Sequence, residues 1–290
     1  MAETFLSGYF ARIGYDGEAA PTLPNVAAIH AHHTRAIPFE NLTPATGGVV
    51  DISAEGLEAV VLGRKRGGYC FQHSGLMARA LTEMGVPGVE NHLGRVYWGR
   101  EPGSGSPPRT HAVTIVTLDG ASHLVDAGFG GFNPSGVLPL GLAPEEADLT
   151  TPLGTFRVVN VAEAGLPPVD TATIDLMVQG RLHGAWANLY GVDLRPNAPV
   201  DVQMANWYVS TSPASRFTNS LMAAILTETR RFTLANLELG VRAYGPDGSS
   251  TVEKRTLGSA AELRDVAREL FRIEDAALDW DRVYRVASTA

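Results

Sequence analysis

Cys70 is the only cysteine in the chain, and its neighbours are those of a reactive thiol. It follows Arg64, Lys65, Arg66 and the pair Gly67-Gly68, and it opens a predicted helix. A helix N-terminus carries unpaired N–H groups and partial positive charge, which favour thiolate over thiol; cations facing the sulfur act in the same direction. The glycines permit tight turning and close approach by a substrate. The other reading of a lone cysteine is a small buried hydrophobe. With one thiol, an intramolecular disulfide and a zinc site on paired thiolates are both excluded.

A nucleophilic cysteine needs a base, and the base needs an orienting partner. The runs HAVTIVTL (111–118) and ASHLVDAG (121–128) flank Asp119-Gly120, a strong hairpin signal. With a two-residue turn, Leu118 faces Ala121, Asp126 lies opposite Val113, and His111 lies opposite Gly128. His111 and Asp126 then project from one face as diagonal neighbours, roughly 7–8 Å apart and within reach of long side chains. The same register puts His123 on the opposite face. Taken singly, His111 is a strand-end histidine and Asp126 a turn carboxylate. Together, beside one charge-primed cysteine, they make a candidate Cys–His–Asp triad, provided the tertiary fold brings Cys70 to His111.

The elements that must position these groups are legible in outline. The first 85 or so residues read as helices: one capped by Asn25 and ended by Pro38, one capped by Ser53 with Leu57, Val60 and Val61 inward, and one from about Cys70 to Met84. Strands are expected at 89–98, in the two hairpin runs, and at 155–161, 172–178 and 183–189, making an antiparallel sheet or small barrel. The stretch 102–108 is a loop, and a Pro-containing stretch at 192–201 leads to mixed structure. Ser259 and Glu262 form a capping-box pattern before a last amphipathic helix.

At 290 residues, length alone suggests about two domains. The chain is 44% hydrophobic and 19% charged, as expected of a soluble globular protein. A net charge of −8 argues against a nucleic-acid footprint. No run approaches the roughly 18 apolar residues of a membrane span. The N-terminus MAETFLSGYFARIGYDG has no basic start and long apolar run, so a cytoplasmic location is expected. No GxGxxG or Walker pattern supports a nucleotide fold. His30, His32 and His33 lack metal-ligand companions and read as a surface or interface group; RRF at 230–232 reads as a solvated turn, with positive charge for a ligand's phosphates as its other reading. His73 and His92 have no distinctive partner.

RGGYCFQHSG (66–75) resembles the active-site segment of the arylamine N-acetyltransferases. IPFENL (37–42), THAVTIV (110–116), HLVDAGFGG (123–131) and SPASRF (212–217) resemble further segments of that family in its order, spanning nearly the whole chain. The resemblance implies an α+β fold in three parts, with a core related to papain-like cysteine enzymes. These are an N-terminal helical bundle (1–87), a central antiparallel β-barrel with an interdomain stretch (88–206), and a C-terminal α/β lid (207–290). It implies Cys70, His111 and Asp126 as the triad of a ping-pong acetyl transfer and a place in xenobiotic metabolism. Acetyl-CoA is the implied acyl-donor substrate and a small aromatic amine or hydrazine the acceptor, with no permanently bound cofactor and no metal. Phe39, Phe129 and Phe217 would line the acceptor pocket, although each also suits a core, and Thr110 would contact donor or acceptor. Family members commonly carry Glu and Asn two and four residues after the cysteine; here these are Gln72 and Ser74. Two alternatives remain: a related acyltransferase or amide synthase/hydrolase with another acyl donor, and a non-catalytic binding module.

Overall fold

The computed structural model describes residues 4–195 and 197–289. Residues 1–3, part of the N-terminus discussed above, and Pro196, within the stretch 192–201, lie outside the described residues.

The N-terminal region is helical. Helix Leu23–Ala36 begins ahead of Asn25, because Thr22 takes the capping position and its side chain accepts from the Asn25 N–H. Pro24 then sits in the first turn, where no intrahelical N–H is needed. Ser53 caps helix Ala54–Leu57, which widens into a π-helical turn over Glu58–Gly63. A first helix, Phe5–Ile13, carries Tyr9, and a longer one runs Cys70–Glu83. Tyr9, Val26, Ile29, Val61, Leu76, Met77 and Leu81 form the bundle core, and Val116, Leu118 and Val125 of the hairpin join it. Burying that shared apolar surface sets the Cys70 helix against the hairpin.

Eight antiparallel strands follow, in the spatial order Leu138–Pro139, Ala121–Val125, Arg109–Leu118, Glu90–Val96, Ala185–Val192, Leu176–Leu182, Gly154–Asn160, Leu149–Thr151. They curl into a nearly closed barrel around Val113, Leu124, Phe156, Val178 and Leu189. Asp119 and Gly120 both have positive φ (51° and 78°), as a type I′ turn requires. Pairing from Leu118↔Ala121 to Thr114↔Val125 follows the register that the two-residue turn dictates. The strand expected at 172–178 is displaced to Leu176–Leu182. Residues Pro168–Thr171 form a helical turn, and His183-Gly184, both at positive φ, make the hairpin connection.

The C-terminal sheet is an antiparallel meander of Met222–Leu226, Arg230–Ala235, Glu238–Tyr244 and Ser250–Thr256. Helices Ala260–Glu269 and Trp280–Thr289 cover one face of it through Phe232, Leu234, Leu263, Phe271 and Val283. A fifth strand, Phe39–Glu40, comes from the N-terminal region and pairs with Met222–Leu226. RRF at 230–232 is not a solvated turn but the start of a strand. Arg231 is buried, donates to the carbonyls of Gly131 and Asn133, and stands over the Phe132 ring. No helix among the described residues is long and apolar enough to cross a membrane.

Candidate active site

Cys70 is the first residue of its helix, with Tyr69 as cap. The Gln72 side chain accepts from the Tyr69 N–H at 3.2 Å and closes this first turn. Gln72 thus has a local capping task, and Ser74 donates to Asn91 Oδ1 at 2.8 Å. The Cys70 thiol is buried and points at the Thr110 carbonyl oxygen, 3.5 Å away. Thr110 precedes His111 on strand Arg109–Leu118, so this contact sets the sulfur beside the histidine. A Cβ on Gly128 would stand 2.8 Å from Cys70 Cα, so only glycine lets the segment after Asp126 lie this close to Cys70.

His111 Nε2 bonds to Asp126 Oδ2 at 2.8 Å, and both residues are buried. Asp126 Oδ1 accepts from the Gly128 N–H at 2.8 Å. This leaves His111 Nδ1 as the ring nitrogen available to the thiol. Burial by itself would lower the His111 pKa, but the adjoining Asp126 carboxylate and its hydrogen bond outweigh that and raise it to about 10. Burial would raise the Asp126 pKa; the His111 charge and hydrogen bonding prevail and hold it below the usual carboxylate value. Each partner thus favours the charged form of the other. Phe129 and Tyr190 pack on the His111 ring at centroid distances of 5.2 and 4.5 Å. The Tyr190 hydroxyl is buried beside the Asp126 carboxylate, which together with burial raises its pKa.

Cys70 and His111 open onto a cleft of about 910 Å³, which Phe39, Thr110, Phe129 and Phe217 also line. Phe39 and Phe217 meet at a centroid distance of 6.1 Å. All three phenylalanines are half-buried, each with one side in the core. Sequence reasoning raised positive charge for a ligand only at RRF 230–232, of which Arg231 lines this cleft, and missed its other cations. Five cationic side chains line it (Arg100, Arg216, Arg231, Arg242 and Lys254) against one carboxylate, Glu238. A signal for two of them was present: Arg242 and Lys254 lie on one face of a hairpin around Pro246-Asp247-Gly248.

His30 and His33, expected at a surface or interface, are fully buried instead. His30 Nε2 donates to the Asp126 carbonyl at 2.8 Å, and His33 lies between Tyr9 and His73. His32 is half-buried, its Nδ1 3.3 Å from the Ile13 carbonyl. His92 Nδ1 lies 3.0 Å from the Asp193 carbonyl. Burial lowers the pKa of His30 and His33, and that of His73 to about 4. A histidine whose folded pKa lies below its unfolded value of 6.5 adds stability while neutral; that contribution falls away as pH drops from 6.5 towards 4. The thermal midpoint is expected to decline steadily through that window. A midpoint flat down to pH 4 would show that these rings are not held neutral.

A family model described as N-acetyltransferase matches residues 22–278. The arylamine N-acetyltransferase of Mycolicibacterium smegmatis is 36% identical over 272 residues, covering 93% of this chain and 92% of that protein. That of Escherichia coli is 32% identical over 92% of this chain and 88% of its own. The solved structure of the Mycobacterium marinum enzyme in complex with CoA superposes with a TM-score of 0.86 at 34% identity, over 98% of both chains.

Proposed function

The chain belongs to the arylamine N-acetyltransferase family, and from that membership we propose that it carries an acetyl group from acetyl-CoA to an arylamine, arylhydrazine or related amine on Cys70. The observation that carries the proposal is the buried 2.8 Å His111–Asp126 hydrogen bond beside the chain's one thiol, at the wall of the cleft.

In the first half-reaction the Cys70 thiolate, paired with the His111 imidazolium, attacks the thioester carbonyl. The tetrahedral intermediate collapses, the carbon–sulfur bond to CoA breaks, and His111 gives its proton to the departing thiolate. In the second, the amine attacks acetyl-Cys70, neutral His111 takes the amine proton, and Cys70 leaves as thiolate. Asp126 holds the ring with Nδ1 towards the sulfur and stabilises its charged form. Regions 1–87, 88–206 and 207–290 would supply the nucleophile, the base with its carboxylate, and the lid.

The cationic lining supports an anionic donor such as CoA. The C-terminal sheet supports a route for it. Cross-strand partners Phe39↔Ala224, Ala224↔Thr233, Thr233↔Gly240 and Gly240↔Lys254 make a lane of small residues on the cleft face, from the catalytic end to a lysine. A thin pantetheine arm suits that lane, with Arg242 and Lys254 near its phosphates. The half-buried phenylalanines suit a flat acceptor, and Thr110 would hold the reacting group near the sulfur. A nucleophilic thiol favours the reducing cytoplasm, and aromatic amines favour a role with xenobiotics.

The test is incubation with acetyl-CoA and no amine, followed by mass analysis of the peptide bearing Cys70. One acetyl group on that peptide and one CoA thiol released per chain are expected. An unmodified Cys70 with the thioester intact would falsify acetyl transfer, and turnover of another thioester would then favour a different acyl donor.

A further inference from the structure

Beneath Cys70 runs a chain of buried polar groups to which the transfer scheme gives no task. His73 stands three residues after Cys70, on the same helix face. Tyr9, His33 and His73 are all shut off from solvent. The Tyr9 hydroxyl lies 2.7 Å from His33 Nδ1, and His33 Nε2 lies 2.7 Å from His73 Nδ1. His73 Nε2 lies 3.0 Å from the Gly68 carbonyl oxygen and 3.2 Å from that of Pro38. A carbonyl oxygen only accepts, so His73 Nε2 carries the hydrogen. Neutral His73 then has a bare Nδ1, which accepts from His33 Nε2–H, and His33 Nδ1 accepts from Tyr9. One placement of hydrogens satisfies the whole neutral chain.

The far end of the chain is a crossing of two active-site segments. Gly68 leads directly into Tyr69 and Cys70, and its carbonyl also accepts from the Glu40 N–H at 2.8 Å. The Pro38 carbonyl accepts from the Gly68 N–H at 3.2 Å. A Cβ on Gly67 would come within 1.8 Å of that same carbonyl oxygen, so the two backbones touch. The Phe39 ring lies parallel to His73, at a centroid distance of 6.5 Å and 9° between planes. On the other side, a Cβ on Gly128 would stand 2.9 Å from His73 Cβ. The His73 side chain therefore meets the lead-in to the nucleophile and the segment bearing the Phe39 wall through its ring, and the segment behind Asp126 through its Cβ.

We propose that His73 is a positioning residue for Cys70 and Phe39, with its donor direction set by His33 and Tyr9. The proposal rests on Cys70 being the nucleophile. Losing the His73 Nε2–H removes the side-chain donor shared by two carbonyls that keep only their backbone partners, and gives slack to residues 66–70 and 38–40.

The experiment compares the parent with His73→Leu, His73→Gln and Tyr9→Phe. It measures thermal midpoint, alkylation of Cys70 by iodoacetamide near neutral pH, single-turnover acetylation, and steady-state kcat and KM for the amine. His73→Leu is expected to slow alkylation and acetylation by about tenfold or more and to raise the amine KM, since displacements of about 1 Å at reacting atoms cost up to about 100-fold. His73→Gln, whose amide can both donate to the carbonyls and accept from His33, should recover most of both rates. Tyr9→Phe, with no contact to the sulfur, should slow both by roughly two- to fivefold through the freed His33 tautomer. If His73→Leu does not fold, the Gln and Phe variants decide. Equal rates in all folded variants overturn the proposal, and so does a folded His73→Gln as slow as His73→Leu. Alkylation reads the thiol whatever the acyl donor. A parent that shows the expected order of alkylation yet is not acetylated would refute acetyl transfer and leave the positioning role standing.

Discussion

Asp126→Asn is expected to lower the first half-reaction about 10⁴-fold, the scale seen when the carboxylate of a buried triad becomes an amide. The folded protein should survive, because asparagine has the same shape and can still accept from the Gly128 N–H through one oxygen. What it cannot do is hold a charge beside His111. Burial alone lowers the His111 pKa; the Asp126 carboxylate is what raises it to about 10. With an amide there, the ring falls back towards neutrality inside a dry site, and the imidazolium needed to pair with the thiolate and protonate CoA is lost. An amide NH₂ facing Nε2 would also force the other tautomer, with Nδ1–H towards the sulfur and no acceptor for its proton. The measurement is single-turnover acetylation of Cys70, with thermal midpoint as the control. Transfer within about tenfold of the parent, in a folded variant, would remove Asp126 from the mechanism.

Arg66→Met is expected to cost about 3–5 kcal/mol of folding stability. Arg66 and Glu40 are 5% and 2% exposed, and the guanidinium meets Glu40 Oε1 through Nε at 3.0 Å and Nη2 at 2.8 Å. Nη2 also reaches Thr43 Oγ1, and Glu40 Oε2 accepts from the Leu42 N–H at 2.6 Å. Deleting the arginine strands a carboxylate in the interior, where desolvation is uncompensated. The double variant Arg66→Met, Glu40→Leu removes both charges and is expected to recover part of the loss. Denaturant unfolding of the two singles and the double gives the coupling. Additive losses, or a single-variant loss below about 1 kcal/mol, would show the pair to be energetically idle. The pair matters to the site because it ties the Arg66-Gly67-Gly68 lead-in of Cys70 to strand Phe39–Glu40.

Much of this was readable before any fold was known, where the deciding physics is local. The Asp119-Gly120 turn requires two positive φ values, and that alone determines which residues of its two strands face each other. The cysteine opens a helix because glycines precede it and apolar residues recur behind it at helical spacing. Where a local rule had a competitor, the reading slipped. Asn25 and Thr22 are both good caps, and the choice depends on Pro24 fitting the first turn. Phe39–Glu40 is too short to carry a strand period, and its partner lies about 180 residues away.

The sequence by itself determined that thiol chemistry has one possible seat, Cys70, and which residues pair across the Asp119-Gly120 hairpin from Leu118↔Ala121 to Thr114↔Val125. It also carried the family through five short segments. The tertiary structure alone decided what is buried. Histidines on a polar helix face and an Arg-Arg pair look the same whether water or a neighbouring element covers them. His30 and His33 went inside because the bundle packs on the hairpin, and Arg231 because the C-terminal sheet closes over Gly131 and Asn133. Burial then set the charges: the same desolvation that keeps His73 neutral is overcome at His111 by a carboxylate 2.8 Å away. Burial of that kind arises from packing between segments remote in sequence, so no local pattern of residues contains it.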